Sequence, residues 1–560
     1  MKRQHLIIYV LIIFTLLTPL VYQTMYLQAD ESDYYSKIQK GLQYFQKVYE
    51  RVQSNYVEEI DPYQFVKAGI EGMLDSLDPY TVFIEQEGDT RLRIITTGKY
   101  GGVGMEIGMR NNRITVISPM DNSPAQRAGV KAGDIIERIN GENISDISLE
   151  GISQRLRGPV GSKVELAVRR PGFTNEIIMI IERDEIIIDD VNYADMIRSG
   201  VAYIRLTGFT DKAGSEMRRA IKDIQESGDI EALILDLRGN SGGLLEAAVE
   251  VLGVFLPKGT TVVTTKGFRD GEHTFQTHTN PMLKDVPLAV LVDQGSASAS
   301  EIVAGALQDL DRAIIVGTET FGKGLVQKVY NIDKNNSTKI KVTTAKYYIP
   351  SGRCVQKQDY SHNKAIFHNE DSDSGNLAAK TSQFFTTNRR EVYEKGGITP
   401  DRFIKPDEVP HVATELWRSS LIFNFAVDYQ QNNPDWTGDV GITDEIFYQF
   451  TDYVKAEEFD YLIEGESELN SFLDRAKEVD LPQSIVTNGE ALLAQLNDLK
   501  EKDIVNHNYE IKKMLLTELT EKYYGNDEKI RYGLIHDDQL HEAIDVVLNE
   551  GEYKKILAIK

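Results

Sequence analysis

Three short runs of apolar residues constrain this chain more than any other feature: Ala232–Leu237 (ALILDL), Leu288–Asp293 (LAVLVD) and Ala313–Gly317 (AIIVG). Each is too short for a buried helix and lacks the polar alternation of a half-exposed strand, so each reads as a buried strand. Helical patterns lie between and after them, at Leu244–Phe255 and Ser300–Leu310. Strands alternating with helices predict a layered α/β core, and we place it at residues 184–406. The chain has 560 residues, enough for several domains, and its 41% hydrophobic and 26% charged content is that of a globular protein.

The flanking regions have a different texture. Lys2 and Arg3 precede an apolar stretch, Leu6–Tyr22, with no ionised side chain until Asp30. Residues 1–29 are therefore expected to be a signal peptide or a membrane anchor, which places the body of the protein in the cell envelope, periplasmic or otherwise outside the cytoplasm. Residues 30–95 show helical spacing, with Asp61-Pro62 opening a second helix. Residues 96–183 break into short strands and turns, with one helix at Ser148–Leu156. The segments GGVGME (Gly101–Glu106), SPAQRAGVKAGDIIERINGENI (Ser123–Ile144) and LRGPVGSKVEL (Leu156–Leu166) resemble a PDZ domain. That resemblance implies a peptide site: backbone of Gly102, Val103, Gly104 and Met105 for a terminal carboxylate, with Ile152 and Leu156 as pocket walls. A polar stretch at 360–375 reads as an exposed loop, and 407–560 as an acidic, helical accessory extension.

Charge and cysteine content narrow the chemistry. A net charge of −24 opposes nucleic-acid binding, which depends on neutralising phosphates. One cysteine and nine scattered histidines advertise neither a disulfide framework nor a metal site, and no cofactor is expected.

The stretch GTETFGKG, Gly317–Gly324, carries the glycine and lysine spacing of a phosphate-binding loop. Gly324 stands where that loop needs Ser or Thr, however, and LVQKVY (Leu325–Tyr330) alternates like a strand where the loop needs a helix. Upstream, QGSASASEIVAGALQD (Gln294–Asp309) places Ser296, Ser298 and Ser300 on a strand-to-helix turn, where hydroxyls and N–H groups face the positive end of a helix. DLRGNSGG (Asp236–Gly243) is a second such turn, whose glycines can offer N–H groups to an oxyanion. Phe321 and Leu325 flank Lys323 with apolar side chains, an environment that favours a neutral, basic amine. His273 and His278 fall in a polar segment read as a loop, and no G-x-S-x-G elbow is present. A serine paired with a lysine is a known variant of nucleophile–base logic.

GSASASEIVAGALQD with GTETFGKGLVQ resembles the signature of the C-terminal processing peptidases, or tail-specific proteases. The resemblance extends from about Tyr44 to Asp401 and includes LDPYTVFI (Leu77–Ile84), YIPSGRCVQ (Tyr348–Gln356) and GGITPD (Gly396–Asp401). Ser241 departs from the Pro or Gly common there. The resemblance implies a Clp-protease/crotonase-like layered α/β core with an inserted PDZ domain. It assigns Ser298 as nucleophile, Lys323, 25 positions later, as base, and Gln327 as the residue that orients the lysine. Ala299 with Gly242 or Gly243 would form the oxyanion site. Glu301 is read either as a contact of Arg238 or Lys323 or as a solvated helix cap; Asp236 and Arg238 are read as support or as purely structural. A straight strand would hold positions 323 and 327 about 13 Å apart, so contact requires a bend, for which Gly324 is the candidate. Expected partners are proteins with apolar, unstructured C-termini, an adaptor protein, and a second copy through the N- or C-terminal helices. A catalytically silent PDZ scaffold and a nucleotide hydrolase remain as alternatives.

Overall fold

The computed structural model describes residues 34–333, 338–360, 383–394, 396–438 and 441–559. The expected leader or anchor at 1–29 lies outside them, as does all but the first residue of the expected loop at 360–375. Two compact units divide the chain, one ending at Phe83 and one beginning at Ile84.

In the first unit a helix over residues 34–55 is followed by the helix Pro62–Asp75. The Asp61 side chain accepts from Gln64 N at 2.8 Å, and Pro62 takes the first helical position, so the sequence signal marks the helix start. The Tyr49 and Phe65 rings stack with centroids 5.9 Å apart, tying the two helices together.

The second unit is built on a six-stranded sheet in the order Val191–Arg198, Val201–Leu206, Ala232–Asp236, Leu288–Val292, Ile314–Gly317, Arg402–Phe403. The first pair is antiparallel and every later pair is parallel. The apolar runs at Ala232, Leu288 and Ala313 form three of the four interior strands, and every residue of those strands is buried. The helices Ala213–Ser227, Leu245–Leu252 and Ala299–Asp309 cover one face.

The other face is covered by the end of the chain. The helices Asp538–Leu548 and Glu550–Ile556 place Leu540, Ala543, Ile544 and Tyr553 against Tyr203, Ile234, Leu291 and Ile314. The accessory extension expected at 407–560 is thus two things. Its helices from His411 to Tyr524 have a core of their own, with Leu416, Phe425, Phe450 and Leu515. Its last helices are a layer of the catalytic core, because a sheet of buried apolar strands needs both faces covered.

The PDZ region folds as expected, with strands Met105–Arg110, Arg113–Pro119, Ile135–Ile139 and Lys163–Arg169, and a helix, Leu149–Leu156, capped by Ser148. A further strand, Ile177–Glu182, completes its sheet. Lys99–Gly102 pairs with Asp184–Ile187, so the domain enters and leaves through one antiparallel ribbon. It rests on the helical region: Arg110 lies over the Trp417 and Phe423 rings, and Val427 fills the space above Gly133.

Candidate active site

In an open parallel sheet, ligand sites form beyond the carboxyl ends of the strands. Here three turns leave those ends together: the one after Asp236, the one after Val292 and the one after Gly317. The first two interlock. Asp293 Oδ1 accepts from the N–H groups of Gly239, Gly295 and Ser296 at 2.8–3.1 Å. A side chain on Gly295 would meet Gly239 Cα at 2.8 Å, so the second turn needs glycine for close approach, whereas Gly239 has room for a side chain but holds φ 68°.

Within the serine turn the three hydroxyl groups separate physically. Ser296 is fully buried and its hydroxyl donates to Leu237 O at 2.8 Å. Ser300 is also fully buried and donates to Asn240 O at 2.8 Å. Ser298 is half-buried and sits just before the helix Ala299–Asp309 with φ 56° and ψ −110°. Such a backbone is strained for a residue with a side chain, and strain of this kind gathers at functional sites.

The third turn carries Lys323, half-buried, between the strand Ile314–Gly317 and the strand Leu325–Asn331. No helix follows the lysine, as the alternating LVQKVY pattern predicts. The glycines that imitate a phosphate loop have packing reasons. A side chain on Gly317 would come within 2.0 Å of Val292 O, and one on Gly322 within 2.6 Å of Lys357 Cβ. Phe321, expected to give the lysine an apolar wall, is half exposed, while Leu325 is buried.

Glu301 joins the serine and lysine turns. It is fully buried and accepts four hydrogen bonds: Ser298 N at 2.8 Å, Lys323 N at 2.9 Å, Gly322 N at 2.8 Å and Thr320 Oγ1 at 2.6 Å. The solvated cap is therefore excluded, and no bond to Arg238 is made. Burial pushes the Glu301 carboxyl above its usual value, while its donors pull it back. Tyr347, from the strand Lys339–Tyr348, is buried with its hydroxyl 2.7 Å from Lys323 O and 3.1 Å from Ser298 O.

Several expectations need correction. The ladder to Lys339–Tyr348 shifts register at Val326/Gln327, and the extra residue, Thr344, belongs to that partner strand, so the bulge lies outside the Lys323–Gln327 segment. Gly324 serves close packing: its N–H donates to Gln356 Oε1 at 2.7 Å, and a side chain there would strike Gln356 N. The Gln327 amide lies 3.4 Å from Thr343 Oγ1. Of the two glycines, Gly242 already donates its N–H to Asn240 Oδ1 at 2.9 Å. A side chain on Gly243 would meet Phe209 O at 2.3 Å, so that backbone is pressed against the segment after the strand Val201–Leu206. Asp236 and Arg238 face away from the serine. Arg238 pairs with Asp236 and with Asp537 at 2.6 Å each, and bonds Gln539, while Tyr203 donates to Asp236. They lock the last helices to the sheet.

In the PDZ domain Gly104 has φ 70°, and its carbonyl accepts from Met120 N at 3.0 Å. Val103 O accepts from Ala125 N at 2.8 Å, so the short helix Pro124–Arg127 braces the Gly102–Met105 segment. Ile152 and Leu156 are buried in the domain's core, one helical turn apart on the face that meets the sheet. His273 lies on the strand Gly271–Gln276 of a hairpin, not in a loop. Among the described residues, no cluster of His, Cys, Asp or Glu has metal-binding geometry.

Sequence reasoning missed Tyr347, Thr320 and Asn240. Tyr347 falls in phase with Lys339, Lys341 and Thr343, so the alternation in KIKVTTAKYY does not mark it as buried, and nothing local shows that its hydroxyl reaches two carbonyls from other turns.

Similarity to known protein families extends along much of the chain. The family profile described as "Peptidase family S41" matches residues 200–363, and "PDZ domain" matches 115–170. "Probable PDZ-protease, C-terminal helical domain" matches 412–547, and "Activating protease CtpB N-terminal domain" matches 18–88. A carboxy-terminal-processing protease of Bartonella bacilliformis is 41% identical over 321 residues, 57% of this chain and 73% of that protein. Carboxy-terminal processing protease CtpB of Bacillus subtilis is 31% identical over 360 residues, 64% of this chain and 74% of that one. The solved photosystem II D1 C-terminal processing protease is 26% identical, covers 65% of this chain and 93% of its own, and superposes with a TM-score of 0.35.

Proposed function

Because the chain belongs to peptidase family S41 and is a carboxy-terminal processing serine protease with a PDZ domain, we propose that Ser298 is its nucleophile and Lys323 its general base. The observation that carries this reading is the convergence of both residues on one carboxylate: Ser298 N and Lys323 N donate to the same Glu301 oxygen at 2.8 and 2.9 Å. Ser296 and Ser300 have their hydroxyl groups committed elsewhere.

In the proposed reaction the neutral Lys323 amine takes the Ser298 hydroxyl proton as the oxygen attacks the scissile carbonyl. The oxyanion is held by the N–H of Ala299, at the first position of its helix, and by the N–H of Gly243. Lys323 passes its proton to the leaving amine and the acyl-enzyme forms. Water then attacks the ester, giving its proton to Lys323, which returns it to Ser298. Gln327 orients the lysine in this scheme.

The substrate is a protein whose apolar, unstructured tail ends in a free carboxylate captured at Gly102–Met105, in the cell envelope to which the N-terminal segment directs the enzyme. An adaptor or a second copy of the chain joins it there.

The test is cleavage of a tailed protein substrate, with its terminal carboxyl free or amidated, by wild-type, Ser298→Ala and Lys323→Ala protein. Both variants are expected to fold and be inactive, and amidation to weaken recognition. Near-normal turnover by Lys323→Ala contradicts the dyad; equal cleavage of acid and amide contradicts carboxylate capture.

A further inference from the structure

The backbones of Ser298 and Lys323 are joined twice. Both N–H groups donate to Glu301 Oε2, and both carbonyls face the Tyr347 hydroxyl at 3.1 and 2.7 Å. Neither Glu301 nor Tyr347 moves a proton in the proposed reaction. We propose that they are positioning residues, a two-point clamp that holds the nucleophile's and the base's backbones as one rigid unit; this rests on the Ser298/Lys323 reading.

Three observations carry the inference. Lys323 lies in no helix or strand, so the turn alone does not fix its position. Ser298 holds a strained backbone that its surroundings must enforce. The two clamping groups are themselves fixed, Glu301 in the first turn of a wholly buried helix and Tyr347 on the strand Lys339–Tyr348, which pairs with Leu325–Asn331. The Glu301 carboxylate is also saturated, with Thr320 and Gly322 on its other oxygen. A carboxylate serving only to cap its own helix would need Ser298 N and nothing from the lysine turn. Burial holds the Tyr347 hydroxyl well above its usual pKa, so it stays a donor. Displacing one reacting group by about 1 Å can cost about 10²-fold in rate.

The full chain is tested as Tyr347→Phe and Glu301→Gln, beside Ser298→Ala and Lys323→Ala, with a tailed protein substrate and a serine-reactive phosphonate. Tyr347→Phe removes one oxygen and is expected to lower kcat about 10–10²-fold with KM within about twofold of wild type. Phosphonate labelling should slow by the same factor while thermal unfolding stays cooperative. Glu301→Gln places an amide where two N–H groups need an acceptor and is expected to lose more. The double variant should lose less than the product of the single losses, because the residues act as one clamp. If Glu301→Gln does not fold, Tyr347→Phe decides alone. A Tyr347→Phe kcat within about twofold of wild type, or a loss confined to KM, overturns the clamp. Activity surviving in Ser298→Ala or Lys323→Ala overturns the dyad and the clamp with it. Inactive dyad variants beside a normal Tyr347→Phe overturn the clamp alone.

Discussion

At Ser300 the hydroxyl donates to Asn240 O, a carbonyl that also receives Ala297 N at 3.0 Å. The bond ties the serine turn to the DLRGNSGG turn, two positions from the proposed nucleophile. Ser300→Ala removes the hydroxyl and leaves Asn240 O with its other donor. The expected outcome is a loss of about 1 kcal/mol of stability with turnover close to wild type, read from denaturant unfolding and from cleavage of a tailed substrate. Ser298 differs from its neighbours in exposure and backbone angle, not in residue type. Residue chemistry therefore narrows the nucleophile to three serines, and the resemblance to a known signature singles out one.

At the scale of elements, Arg238 shows how the last helices are held. Its guanidinium lies between Asp236, buried at the end of a central strand, and Asp537 at the start of the helix Asp538–Leu548. Burial acts to lower the Arg238 pKa, and its two carboxylate partners raise it net, so it stays charged. Arg238→Ala leaves two carboxylates without their shared partner and is expected to cost about 3–5 kcal/mol, measured by thermal unfolding, with turnover per folded molecule preserved at low temperature. The central strands were legible almost to the residue, because a strand buried on both faces is written as an unbroken apolar run. The helix Ala299–Asp309 and the PDZ helix were legible as helical stretches, each to within a residue at its ends. The partner of the helix Asp538–Leu548 was not. An amphipathic pattern shows that a helix has a buried face, and a contact between residues some three hundred positions apart leaves no local mark. Gly324 is a related case: a glycine signals either a bend or a close approach, and the close approach there is to Gln356, which no local pattern reveals.

For the whole molecule, the sheet brings three turns from distant parts of the chain to one edge, and its far face is closed by the chain's end. The PDZ domain leaves the core through one ribbon and rests on the helical region, so the peptide site and the serine belong to one compact unit. The central claim for that unit is that Ser298 reacts and Lys323 makes it reactive. Mapping the residue modified by a serine-reactive phosphonate, by mass spectrometry of wild-type and Lys323→Ala protein, tests it most directly. One adduct is expected, on Ser298, formed by the wild type and lost in Lys323→Ala. An adduct on Ser296 or Ser300, or undiminished labelling of Lys323→Ala, would contradict it.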